Sequence, residues 1–151
     1  VCSSDLLILS VLLLLFFQGR YAGLGTNLIT MAFDGGPIFL WDFGLKLLLT
    51  ILTLAIGFQG GEVTPLFAIG ATLGIILAHL FGLPLTFVAA LGYAAVFAAA
   101  TNTFFAPILI GCEVFGFSLM PYLFITVAAS YCLNFNRSIY TGQTLRFSKK
   151  K

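Results

Sequence analysis

Long apolar stretches make up most of this chain, and short polar breaks divide them. Residues 6–17 form a first run and residues 38–56 a second, with shorter ones at about 64–81, 84–100, 104–115 and 120–133. None repeats the period-two alternation that a membrane β-barrel needs, so the pattern predicts an all-α chain. Pro65, Pro84, Pro107 and Pro121 each stand near a segment start, where a missing backbone N–H costs least. Several segments fall short of the roughly 20 residues that carry a helix across a bilayer. Short, tilted, Gly- and Pro-broken helices suit a protein whose non-helical backbone lines a buried ion site.

Residues 18–30 contain Gly19, Gly23, Gly25 and Asn27, and Asp34-Gly35-Gly36-Pro37 follows, which reads as loop or short helix. Gly70 and Gly74 form a small-xxx-small pair, and the next segment is slim with alanine from Ala89 to Ala100. Both features predict close backbone approach between helices.

Composition sets the class. With 60% apolar and 8% charged residues and a mean hydropathy of +1.11, 151 residues cannot bury their apolar surface in a water-soluble globule. The reading is an integral, multi-pass protein of a bacterial-type inner or plasma membrane, in contact with lipid. A formal net charge of +2 gives no ground for a nucleic-acid partner. Five of the seven cationic residues lie in the last fifteen positions, which predicts a cytoplasmic C-terminus. That tail reads as a topology anchor, with binding of anionic headgroups as the other possibility.

The opening Val-Cys-Ser-Ser-Asp has no initiator methionine or basic leader. The run 6–17 spans only about 18 Å as a helix. Both predict that residues 1–151 are part of a longer protein. Cys2, Cys112 and Cys132 are too scattered for a disulfide framework or metal knuckle and read as packing residues. Nothing calls for a cofactor or a metal.

The candidate chemistry lies in Gly57-Phe58-Gln59-Gly60-Gly61-Glu62-Val63-Thr64-Pro65, a carboxylate among glycines between two apolar segments. Acids at membrane depth are costly and usually functional. Pro65 fits the first turn of a helix that starts at about Glu62 or Val63, and the amides of such a start form an anion cradle. The Thr64 hydroxyl would add a donor. An ionised Glu62 would repel a nearby anion, so anion and proton occupancy would be coupled. The competing reading makes Glu62 a snorkelling or capping residue. A second polar cluster, 134–143, carries Tyr140, which could reach a buried site or act as an interfacial anchor.

At these residues the chain resembles the CLC chloride channels and proton-coupled anion antiporters, specifically their C-terminal half. Gly60-Gly61-Glu62-Val63-Thr64-Pro65 looks like the family's G-x-F-x-P anion motif, and Ser138-Ile139-Tyr140 like its pore-tyrosine motif. Residues 23–29 and 102–113 also fit, so the resemblance covers roughly 19–143. Chloride-type members have apolar residues at the positions of Glu62 and Thr64, so Gly-Gly-Glu-Val-Thr-Pro resembles the fluoride/proton antiporter branch. The resemblance implies a CLC-type fold with the N-terminal half missing from 1–151, including its gating glutamate. It also implies fluoride export coupled to proton entry, with Gly61, Val63, Thr64 and Tyr140 bordering the anion path and Glu62 coupling protons. It further implies a homodimer built on residues 104–115 and 120–133.

Other readings are a chloride channel or chloride/proton exchanger, and a structural membrane subunit without transport. An intramembrane enzyme finds no HExxH, no second carboxylate near Glu62 and no nucleophile-base spacing. His79 reads as a packed or interfacial histidine and Glu113 as a membrane-boundary acid. Asp42 and Lys46, four apart, are expected to pair along one helix face.

Overall fold

The computed structural model describes residues 8, 11, 12, 15, 17–57, 61, 63–134 and 138–140. Among the described residues from Phe17 onward, six α-helices run in chain order: α1 Thr26–Asp34, α2 Asp42–Ala55, α3 Val63–Phe81, α4 Leu85–Thr101, α5 Phe105–Phe115 and α6 Met120–Leu133. A 3-10 turn, Phe117–Leu119, leads into α6. There is no strand among the described residues. Among the described residues one helix, α3, is long and apolar enough to cross a membrane alone; α4, α5 and the 117–133 stretch are shorter apolar helices.

The punctuation expected from the sequence coincides with the helix ends. Pro65 lies in the first turn of α3 and Pro107 in that of α5, Pro84 caps α4, and Pro121 opens α6. Gly82, at φ 65°, ends α3 in the left-handed conformation, and the Leu83 N–H donates to the Ala78 carbonyl at 2.9 Å. That six-to-one bond is the Schellman turn that reverses the chain into α4. The run 38–56 yields less helix than its apolarity suggests. Residues 38–41 stay outside α2, because the Phe39 N–H donates to the Asp42 carboxylate at 2.9 Å and the Asp42 N–H returns to the Phe39 carbonyl at 3.0 Å. The Asp42 side chain thus reaches back to the chain that enters the helix, and a tight turn over residues 39–42 precedes α2.

The antiparallel pair α3/α4 is the spine of the fold. A Cβ on Gly74 would lie 2.5 Å from the Val88 carbonyl oxygen and 2.7 Å from the Ala89 Cα, and Gly70 and Gly92 meet backbone to backbone. Small residues let the helices touch this closely. Ala89, Tyr93 and Phe97 face α3 and pack with Phe67, Ala71, Ile75 and Ala32 of α1; the Phe67 and Tyr93 rings stack 4.0 Å apart. The other face of α4, Ala94 and Ala98, packs on Ile108, Cys112, Leu123 and Val127 of α5 and α6. The Ser130 hydroxyl ties α6 to the Ala95 carbonyl at 2.8 Å.

Cys112 is a buried packing residue, as expected, whereas Cys132 is exposed. It lies beside the exposed Leu133 on the outer face of α6. Large apolar side chains cover the outer faces of α2, α5 and α6, including Leu48, Ile51, Phe105, Leu109, Phe124 and Ile125. These surfaces suit lipid or another apolar partner rather than water.

Candidate functional site

Helix α3 begins at Val63, within the start the sequence predicts. The first amides of a helix lack intrahelical acceptors, and Pro65 carries no N–H, so the donors this helix start presents are those of Val63 and Thr64. Val63 and Thr64 are half-buried and Gly61 is exposed. Donors of this kind, aligned with the positive end of the helix, stabilise an anion. Glu62, with Phe58, Gln59 and Gly60, lies outside the described residues, as do the tail residues 141–151.

Tyr140 reaches this region by another route. The last turn of α4 offers carbonyls that the helix cannot use. The Ile139 N–H donates to the Ala100 carbonyl at 2.9 Å, and the Ser138 hydroxyl to the Thr101 carbonyl at 3.3 Å. Ser138 Oγ also accepts the Tyr140 N–H at 3.1 Å. Asn102, a buried residue at φ 51°, caps α4 with its N–H on the Ala98 carbonyl. Its side-chain oxygen accepts from the Asn134 amide at 3.5 Å. A cavity of about 250 Å³ opens here between Ala99, Ala100, Asn134, Ser138 and Ile139.

Because α3 and α4 are antiparallel, with Gly70 against Gly92 and Gly74 against Val88, the start of α3 and the end of α4 share one end of the pair. Gly61, Val63 and Thr64 are therefore brought to the same end of the fold as the Tyr140 segment. Among the described residues no hydrogen bond links Thr64 to Tyr140, and Tyr140 is exposed.

Behind α3 lies a buried polar cluster that the sequence reading missed in part. Asp42 is fully buried and accepts Arg20 Nη2 at 2.7 Å and the Tyr21 hydroxyl at 2.5 Å. The expected Asp42–Lys46 pair does not form. Lys46 Nζ instead donates to the carbonyls of Tyr21 at 3.0 Å and Gly23 at 2.7 Å. The physical reason is competition: Arg20 offers a planar fork that suits a carboxylate, while two loop carbonyls face the ammonium. The sequence signal was the rarity of charge in an apolar run, but it could not name the partner.

His79 and Glu113 are both exposed. His79 lies in the last turn of α3 and Glu113 on the outer side of α5. Neither joins the end of the fold that carries Thr64.

Comparison with known proteins agrees with this architecture. The family model described as voltage gated chloride channel matches residues 5–134. A "Chloride/fluoride channel protein" of Pseudomonas syringae pv. tomato (strain ATCC BAA-871 / DC3000) is 44% identical over 130 residues, covering 86% of this chain and 28% of the relative. The crystal structure of a CLC-type fluoride/proton antiporter superposes with a TM-score of 0.88 at 55% identity, covering 92% of this chain and 35% of that one. The chain thus spans about a third of the length of these relatives, and its fold is part of a CLC-type fold.

Proposed function

The chain belongs to the voltage gated chloride channel family, and from that premise we propose that residues 1–151 are a segment from the C-terminal half of a fluoride/proton antiporter. The whole protein exports fluoride against proton entry, working as a transporter and not an enzyme. The observation that carries this reading is the convergence of the α3 start, with Gly61, Val63 and Thr64, and the Tyr140 segment at one end of the α3/α4 pair. Fluoride is small and strongly hydrated, so amide and hydroxyl donors are apt replacements for its water. Glu62, next to those donors in sequence, alternates between charged and neutral forms and couples the proton to the anion.

The membrane is the inner or plasma membrane, with the basic C-terminus on the cytoplasmic side. The protein is a homodimer that buries the apolar outer faces of α5 and α6, where Phe105, Leu109, Phe124 and Ile125 are exposed in the single chain. A second reading, chloride channel or chloride/proton exchange, is favoured by the description of the family model and by the double name of the Pseudomonas relative.

The experiment is a flux assay on the full-length parent in liposomes, with a fluoride electrode outside and a pH dye inside. Fluoride efflux should drive proton uptake, and Glu62→Gln should uncouple the two. Unchanged coupling in that variant removes the role of Glu62. Chloride flux exceeding fluoride flux selects the second reading.

A further inference from the structure

We infer that Lys46 raises the fluoride affinity of the proposed anion site, as a positioning residue that holds the loop behind α3 and lends that end of the fold a positive charge. The inference rests on the transport reading above.

Lys46 is 3% exposed and stands in the second turn of an apolar helix. A buried ammonium costs several kcal/mol unless it is well compensated. Its compensation here is two carbonyls; among the described residues no carboxylate accepts from it. Asp42, one turn away, is already engaged by Arg20, Tyr21 and the Phe39 N–H. Arg20 and Asp42 form an ion pair that cancels within the cluster, so the charge the cluster presents to its surroundings is that of the Lys46 ammonium.

That charge is held against the anion wall. The two carbonyls belong to the loop 21–25, which Lys46 pins. Gly25 is wedged between Lys46 and α3: a Cβ there would lie 2.8 Å from Lys46 Cε and 2.9 Å from the Ala68 Cβ. Leu24, the preceding residue, reaches Gly61, whose Cβ position is 3.8 Å from Leu24 Cδ2. Ala68 is little more than one helical turn beyond Val63, which sets the ammonium on the order of 10 Å from the first amides of α3. Lys46 touches neither those amides nor the anion they would hold. A unit charge at that range, with an effective dielectric of about 20, changes anion affinity by about tenfold.

The test compares Lys46→Gln and Lys46→Arg in the full-length parent in liposomes. Glutamine keeps a donor for the loop carbonyls and loses the charge, while arginine keeps the charge. Lys46→Gln should raise the fluoride concentration for half-maximal flux about tenfold and leave the maximal rate within about twofold. Lys46→Arg should stay within about threefold of the parent. An unchanged half-saturation in Lys46→Gln overturns the inference, and so does an equal loss of maximal rate in both variants without a shift in half-saturation. If Lys46→Gln does not survive purification, Lys46→Arg decides: a half-saturation shifted more than tenfold with the charge retained also overturns it. A parent that moves no fluoride overturns the transport reading itself, and this inference with it.

Discussion

Gly70 of α3 and Gly92 of α4 meet backbone to backbone, each lying where the other's side chain would have to go. The contact sets both the spacing of the central helix pair and the shared end at which the α3 start and the Tyr140 segment lie. Gly92→Val should therefore lower the stability of the full-length protein by about 1–3 kcal/mol or more through overpacking. A drop in melting temperature in detergent checks this; a Leu77→Val change on the exposed outer side of α3 serves as control and should melt near the parent.

Arg20 and Asp42 form the ion pair that joins the Tyr21 turn to α2. Arg20→Met should destabilise by about 3–5 kcal/mol, because it leaves the buried Asp42 carboxylate without its cation. The double change Arg20→Met with Asp42→Leu should recover much of that loss. The melting temperatures of the two variants decide it.

Thr64 is the one side-chain hydroxyl in the first turn of α3. Thr64→Val keeps the shape and removes the donor. Half-saturation for fluoride should rise by about tenfold or more, since a hydrogen bond to a charged group contributes about 1.5–3 kcal/mol. Thr64→Ser should stay close to the parent in the same liposome assay.

Asn102 ends α4 at φ 51°, a conformation that glycine and asparagine accept and β-branched residues resist. Asn102→Gly should melt within about 1 kcal/mol of the parent, whereas Asn102→Val should lose about 1–2 kcal/mol. Because the same turn anchors Ser138 and Ile139, Asn102→Val should also slow fluoride flux more than Asn102→Gly does.

If the outer faces of α5 and α6 form the dimer, glutamine at both Leu109 and Ile125 should weaken it. The expected result is a monomer in light scattering after size exclusion in detergent. A full dimer peak would place the interface elsewhere.

Much of the helix plan could be read from the sequence because it depends on local rules. Pro65, Pro84, Pro107 and Pro121 mark helix starts by chemistry that acts within one turn. Gly70 and Gly74 announced a close approach, since a missing side chain means the same thing wherever its neighbour comes from. The α3 start was legible for the same reason, as Pro65 and the glycines before it are local signals.

What lay beyond the sequence was partner choice. Asp42 and Lys46 are four residues apart, and spacing alone pairs them; the folded chain instead gives Asp42 to Arg20 and Lys46 to the carbonyls of Tyr21 and Gly23. Those partners lie 22 to 25 residues away in sequence, and only packing of the 17–25 turn against α2 and α3 brings them near. The placement of Tyr140 is of the same kind. The sequence by itself determined the helical class, the membrane setting and the candidate residues, because hydropathy and backbone chemistry are properties of neighbours along the chain. Tertiary structure alone decided that the α3 start and the Tyr140 segment share one end, because that depends on two helices meeting through glycine in an antiparallel register.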